Sequence, residues 1–77
     1  KHVLEIYPNP NNGSFNIASS IELESIDIFN VNSQLIWTKD KLNGKKIKVY
    51  PYLNQGVYLA VVKTTDSKSQ VRRLLIL

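Results

Sequence analysis

The stretch Gly56–Thr64, GVYLAVVKT, decides how this chain is read. It opens on glycine, is rich in β-branched and aromatic residues, and is apolar at odd and even positions alike. A strand apolar on both faces sits at the centre of a sheet or is covered on its outer side. Outward from it the pattern changes to strict alternation. Phe15 and Ile17 alternate with Ser14 and Asn16, Ile26 and Ile28 flank Asp27, and Ile47 and Val49 alternate with Lys46 and Lys48. Such a period of two marks strands with one face on a core and one in water.

Turn signals separate these runs: Asn11-Asn12-Gly13, Asn30–Ser33, Asn43-Gly44, Asn54-Gln55-Gly56 and Asp66-Ser67-Lys68. Asn and Gly tolerate the positive φ that tight turns require. Strands are predicted near 2–7, 14–18, 22–30, 34–39, 46–50, 56–64 and 70–76. No window carries a 3.6-residue apolar stripe, so no helix is expected. About seven short strands with turns between them predict an all-β, Ig-like antiparallel sandwich.

Near the start, IYPNPNNGSFNI (Ile6–Ile17) breaks the pattern. Pro8 and Pro10 lack the N–H that a ladder needs, and Asn9 before Pro10 is pushed toward extended backbone. The segment reads as a stiff break that lets the first strand leave its sheet. Gly13 then turns the chain into the strand of Phe15 and Ile17.

With 77 residues the chain is a single domain, 1–77, near the lower limit for independent folding. It has no cysteine, hence no disulfide and no thiolate ligand or nucleophile. No apolar run approaches a membrane span of ~20 residues. Lys1-His2 leads directly into a strand-like segment, so the chain is expected to be a fragment of a larger protein whose targeting signal lies elsewhere. The net charge of +4 is compatible with solvated lysines and selects no partner.

Catalysis is not expected. His2 is the one histidine, and the six acidic residues are scattered; Glu22 and Glu24 share a strand face but read as a solvated edge. No zinc-protease, phosphate-loop or calcium-loop pattern occurs, so no metal or cofactor is expected. Trp37, Tyr7, Tyr50, Tyr52 and Tyr58 raise the question of a stacking platform for sugar or single-stranded nucleic acid. Tyr58 is expected in the core, whereas Tyr50 and Tyr52, flanking Pro51, are surface candidates. A basic nucleic-acid-binding barrel is the weakest reading, and nucleic acid is not expected as a partner.

Three motifs acquire meaning from their order. Tyr7, Pro8, Asn9, Pro10, Gly13 and Phe15 open the chain. Ile26, Ile28, Phe29, Asn30, Gln34 and Leu35 lie in the middle. Leu53, Gly56 and Tyr58 form a Leu-x-x-Gly-x-Tyr start to the apolar strand, and Lys68, Arg72 and Arg73 precede a closing Leu74-Leu75-Ile76-Leu77. Together, from about Leu4 to Leu77, they resemble the type A C-terminal sorting domain of the type IX (Por) secretion system. One departure is Ser33, where the family usually has Gly; Ser adopts the left-handed turn conformation at greater cost.

The resemblance implies a non-catalytic secretion signal at the end of a cargo protein. The cargo crosses to the periplasm by an ordinary signal, and the outer-membrane translocon then carries it to the cell surface or beyond. Carrier and sortase proteins would be partners, along with the N-terminal cargo domain. The residues themselves suggest where a partner reads the label. The final strand, Lys68 and Arg72–Leu77, combines a main-chain edge with basic and apolar side chains. The motif residues from Tyr7 to Tyr58 are expected to act mainly through folding. An unpaired final strand also offers a route to edge-to-edge dimers in isolation. The alternative is a plain Ig- or fibronectin-like module of a surface protein, serving as spacer, adhesin or carbohydrate binder. A parent chain continuing well past Leu77 would favour it.

Overall fold

The computed structural model describes residues 3–77; His2 lies outside them. Among the described residues there are six strands and no helix: β1 (Leu4–Tyr7), β2 (Phe15–Phe29), β3 (Leu35–Lys39), β4 (Gly44–Val49), β5 (Gly56–Thr64) and β6 (Ser69–Ile76). Every strand pair is antiparallel, and all six belong to one curled sheet.

The expected strand count is corrected. The runs 14–18 and 22–30 form one continuous strand, so the described residues hold six strands where about seven were expected. The intervening Ser19–Ile21 contains no Gly or Pro to force a break. Serine hydroxyls instead accept from nearby N–H groups, Ser19 Oγ from Ile21 (3.0 Å) and Ser20 Oγ from Val3 (2.9 Å). Because β2 is shared, the strands make one connected, curled sheet.

The two halves of β2 have different neighbours. Ile17 lies between Ile6 of β1 and Ile47 of β4, while Ile28 lies between Trp37 of β3 and Ala60 of β5. Register shifts near Ala18–Ser25 mark the changeover, where irregular pairing bends and twists a strand. The curl turns one face of each half inward. Phe15, Ile17, Leu23, Ile26, Ile28, Ala60, Val62, Leu74 and Ile76 are sealed there, joined by Leu4, Leu42, Val49 and Tyr58. Each large apolar side chain so buried contributes ~1.5–3 kcal/mol. This core stabilises a chain that has no disulfide.

β5 is central, as its two-faced apolarity predicts, lying between β2 and β6. Its inward residues are Tyr58, Ala60, Val62 and Thr64, while Val57 and Leu59 remain exposed on the outer face. The β5–β6 turn is closed by Thr64, whose hydroxyl pairs with Asp66 and whose N–H donates to Lys68 O (3.0 Å).

Candidate recognition surface along the last strand

β6 pairs with β5 along its whole length, from Lys63↔Ser69 to Gly56↔Ile76. On its other side the main-chain groups of Val71, Arg73, Leu75 and Leu77 point outward. This edge is not left open. The Asn9 side-chain amide donates to Arg73 O (2.7 Å), and its oxygen accepts the Leu75 N–H (3.0 Å). Two residues on, the Asn11 N–H donates to Leu75 O (3.0 Å) and Asn11 O accepts the Leu77 N–H (2.8 Å). The Asn11–Ile76 bridge is parallel. An unpaired final strand was expected; instead the opening segment covers its last third.

The chemistry of the proline motif explains the arrangement. Pro8 and Pro10, each preceded by a cis peptide bond, can donate no main-chain hydrogen bond. The Asn9 amide, with a donating NH2 and an accepting oxygen on a short stem, takes the place of a main-chain unit. Asn11 is buried, and its own side chain is also used. It donates to Pro8 O (3.0 Å) and accepts the Gly13 N–H (2.9 Å), so a buried polar group is paired on both sides. Gly13 has φ 113°, which a side chain rarely tolerates, and its carbonyl accepts the Tyr52 N–H (3.3 Å).

Upstream on the same edge, Arg72 is half-buried and reaches across to β1. Its guanidinium donates to Leu4 O (3.2 Å), Gln70 Oε1 (2.7 Å) and Val71 O (3.0 Å). Arg73 points the other way, to the exposed outer face, in a row with Leu59 and Phe29; Val57–Leu75 and Val61–Val71 form the adjacent rows. The final strand therefore sorts its side chains strictly. Leu74 and Ile76 are core, Arg73, Leu75 and Leu77 project, and Lys68 lies in the turn at the far end.

The Leu53-x-x-Gly56-x-Tyr58 motif anchors the neighbouring strand end, where Gly56 pairs with Ile76. Tyr58 donates its hydroxyl to Asn54 O (2.8 Å), holding the turn that precedes β5. Leu53 packs on the core. In the 30–34 turn, Asn30 Oδ1 accepts from the N–H groups of Asn32 (2.9 Å) and Gln34 (3.0 Å), and Asn30 Nδ2 donates to Gln34 Oε1 (2.8 Å). Tyr50 and Tyr52 are exposed as expected, and the Lys48 ammonium lies 5.6 Å from the Tyr50 ring centre. Trp37 instead packs against the core.

A family profile described as a secretion system C-terminal sorting domain matches residues 5–77. The chain belongs to this family. The resemblance to type IX sorting domains drawn from the motifs is thereby borne out. This sorting domain is a secretion signal, its family is non-catalytic, and the cargo of such domains is secreted to the cell surface or outside the cell.

Solved structures show the same fold. A chain from work on PorZ, an essential bacterial surface component of the type-IX secretion system of Porphyromonas gingivalis, superposes with a TM-score of 0.70 at 20% identity. The match covers 96% of the sorting domain but only 11% of that chain. CopC from Methylosinus trichosporium OB3b superposes with a TM-score of 0.60 at 14% identity, covering 99% and 93%. At these identities the likeness concerns fold alone. No curated protein sequence matches the sorting domain.

Against this geometry, the predicted recognition residues divide. Arg73, Leu75 and Leu77 form one exposed end, Arg72 is committed to β1, and Lys68 stands ~25–30 Å from Leu77 at strand rise. Leu74 and Ile76 bury their side chains and pair with Tyr58 and Gly56 of β5, so they serve to hold the strand in place. The sequence reading took Asn11 for a turn residue and did not see its pairing with β6. The available signal was an Asn two places after an Asn held between prolines.

Proposed function

We propose that this domain, residues 1–77 at the end of a larger cargo chain, is read in the periplasm by the type IX outer-membrane translocon through its last strand. Carrier and sortase proteins are its partners, and the cargo is delivered to the cell surface or released. The observation that carries the reading is the division of labour within β6. Buried Leu74 and Ile76 fix the strand to the core, so Arg73, Leu75 and Leu77 are displayed rigidly and independently of whatever cargo precedes them. A carrier that accepts unrelated cargoes must find its contacts in such a built-in element.

The same reading takes the curl as an Ig-like sandwich. One layer is β1, the first half of β2 and β4; the other is β3, the second half of β2, β5 and β6. A strand that switches layers through a bend is a known way of making a sandwich corner. The pairing of Asn11 with β6, remote from the β1–β2 ladder, supports this assignment.

The test fuses residues 1–77 behind an inert periplasmic reporter in a host with a working type IX system. The reporter is expected at the surface or in the medium, and retention in the periplasm would overturn the proposal.

A further inference from the structure

We infer that the outer edge of β6 is a strand-accepting site held closed by the chain's own residues 9–11, and that the partner reading the label adds an extended strand in their place. The inference rests on the reading of β6 as the recognised element and states how that element is engaged.

Four main-chain groups of the edge are taken up by the opening segment: Arg73 O, Leu75 N–H, Leu75 O and Leu77 N–H. Half of these contacts come from a single side-chain amide on an exposed residue. The two prolines deny the segment any longer ladder. Farther up the edge, the N–H groups of Val71 and Arg73 take no partner among the described residues. A continuous strand would satisfy these as well as the four held by Asn9 and Asn11, so replacement gains hydrogen bonds. This is the logic of strand addition, in which main-chain pairing supplies affinity and alternate side chains supply selectivity.

Two surface grooves border this edge. One is lined by Glu5, Ile6, Tyr7 and Arg72, the other by Asn9, Pro10, Val57, Arg73 and Leu75. The second is closed by the proline segment, and the first is crossed by the Arg72 contact to Leu4 O. Outward side chains at the second groove are Arg73 beside apolar Val57 and Leu75. The fitting partner is therefore an extended segment with a carboxylate opposite Arg73 and an apolar residue opposite Leu75.

A disulfide can lock the edge. The parallel Asn11–Ile76 bridge places Pro10 beside Leu75 one residue earlier, and both line the same groove. Adjacent strands stand ~4.7–4.9 Å apart, within the Cα separation a disulfide spans. The chain has no other cysteine to mispair. The variant Pro10→Cys/Leu75→Cys, fused to a cysteine-free reporter, is compared with its own reduced form, in cells given a permeant thiol reductant, and with the parent under both conditions. Disulfide formation is checked by thiol labelling and folding by thermal melting. Because Leu75 itself faces the partner, the comparison that counts is within the double variant: the folded, locked label is expected to be exported at least tenfold less than its reduced form. A locked label exported like its reduced form overturns the inference while leaving the secretion reading intact; a parent that is not exported overturns both.

A second variant keeps the inference falsifiable should the locked one misfold. In Asn9→Ala, hydrogen exchange at the Leu75 amide is expected to accelerate at least tenfold while the Tyr58 amide is unchanged. Unaltered exchange at Leu75 would show that Asn9 does not hold the edge shut, and the inference would fall.

Discussion

Tyr58 folds its ring back over Gly56, lying 3.7 Å from the point where a Cβ would stand. Gly56 has φ 154°, a backbone conformation that side chains rarely adopt, while the Tyr58 ring would stand in ordinary contact with a Cβ. Because Gly56 pairs with Ile76, this corner fixes the end of the strand proposed to be read. Gly56→Val is expected to destabilise the domain by about 1–3 kcal/mol through backbone strain. Urea denaturation gives the stability and the reporter fusion gives export; both should be lost. A variant that melts like the parent yet is not exported would make Gly56 a contact residue.

The hydroxyl of Tyr58 has a separate role, donating to Asn54 O. Tyr58→Phe keeps the buried ring and deletes one hydrogen bond, so a loss of about 0.5–1.5 kcal/mol is expected. Export at a temperature well below the melting point should be unaffected. This separates a cost in folding from a cost in recognition.

These two residues also show how much the sequence reveals. Local chemistry made Gly56 a turn and Tyr58 a core residue, and period-two alternation located the inward faces of β2 and β4. Where one strand ends is a weaker signal. The expected strands left a gap at 19–21, yet the hydrogen bonds that Val3 and Ile21 donate to the serine hydroxyls let the chain pass through extended. Pairing across the fold is weaker still. Nothing local to Asn9 or Asn11 announces that their partners lie more than sixty residues away, in Arg73 and Leu75. The recognition residues were legible as a composition, basic then apolar. Which of them face out became clear only when burial separated Leu74 from Leu75.

Ser33 occupies the left-handed region at φ 62°, the conformation anticipated from the family's usual glycine there. A side chain in this region costs roughly 1–2 kcal/mol, part of which glycine gives back through its freer unfolded state. Ser33→Gly is expected to stabilise the domain by about 0.5–1 kcal/mol, measured as a raised urea midpoint with an unchanged slope. Asn30→Ala should do the opposite, since it removes the acceptor of two turn N–H groups.

Adjacent residues of β6 offer the sharpest test of what the strand is for. Leu74 is sealed in the core between the two halves of the curl, and Leu75 lies beside Val57 on the outer face. Leu74→Ala should cost about 2–5 kcal/mol through the cavity it leaves. Leu75→Ala and Arg73→Glu, both at exposed sites, should change stability by no more than about 0.5–1 kcal/mol. If β6 only completes a sheet, export will follow stability, and Leu74→Ala alone will be defective. If its surface is the message, Leu75→Ala and Arg73→Glu will melt near the parent temperature and still lose most of their export. Paired melting curves and reporter counts for the three variants decide between these outcomes, because stability and display reside on opposite faces of one strand.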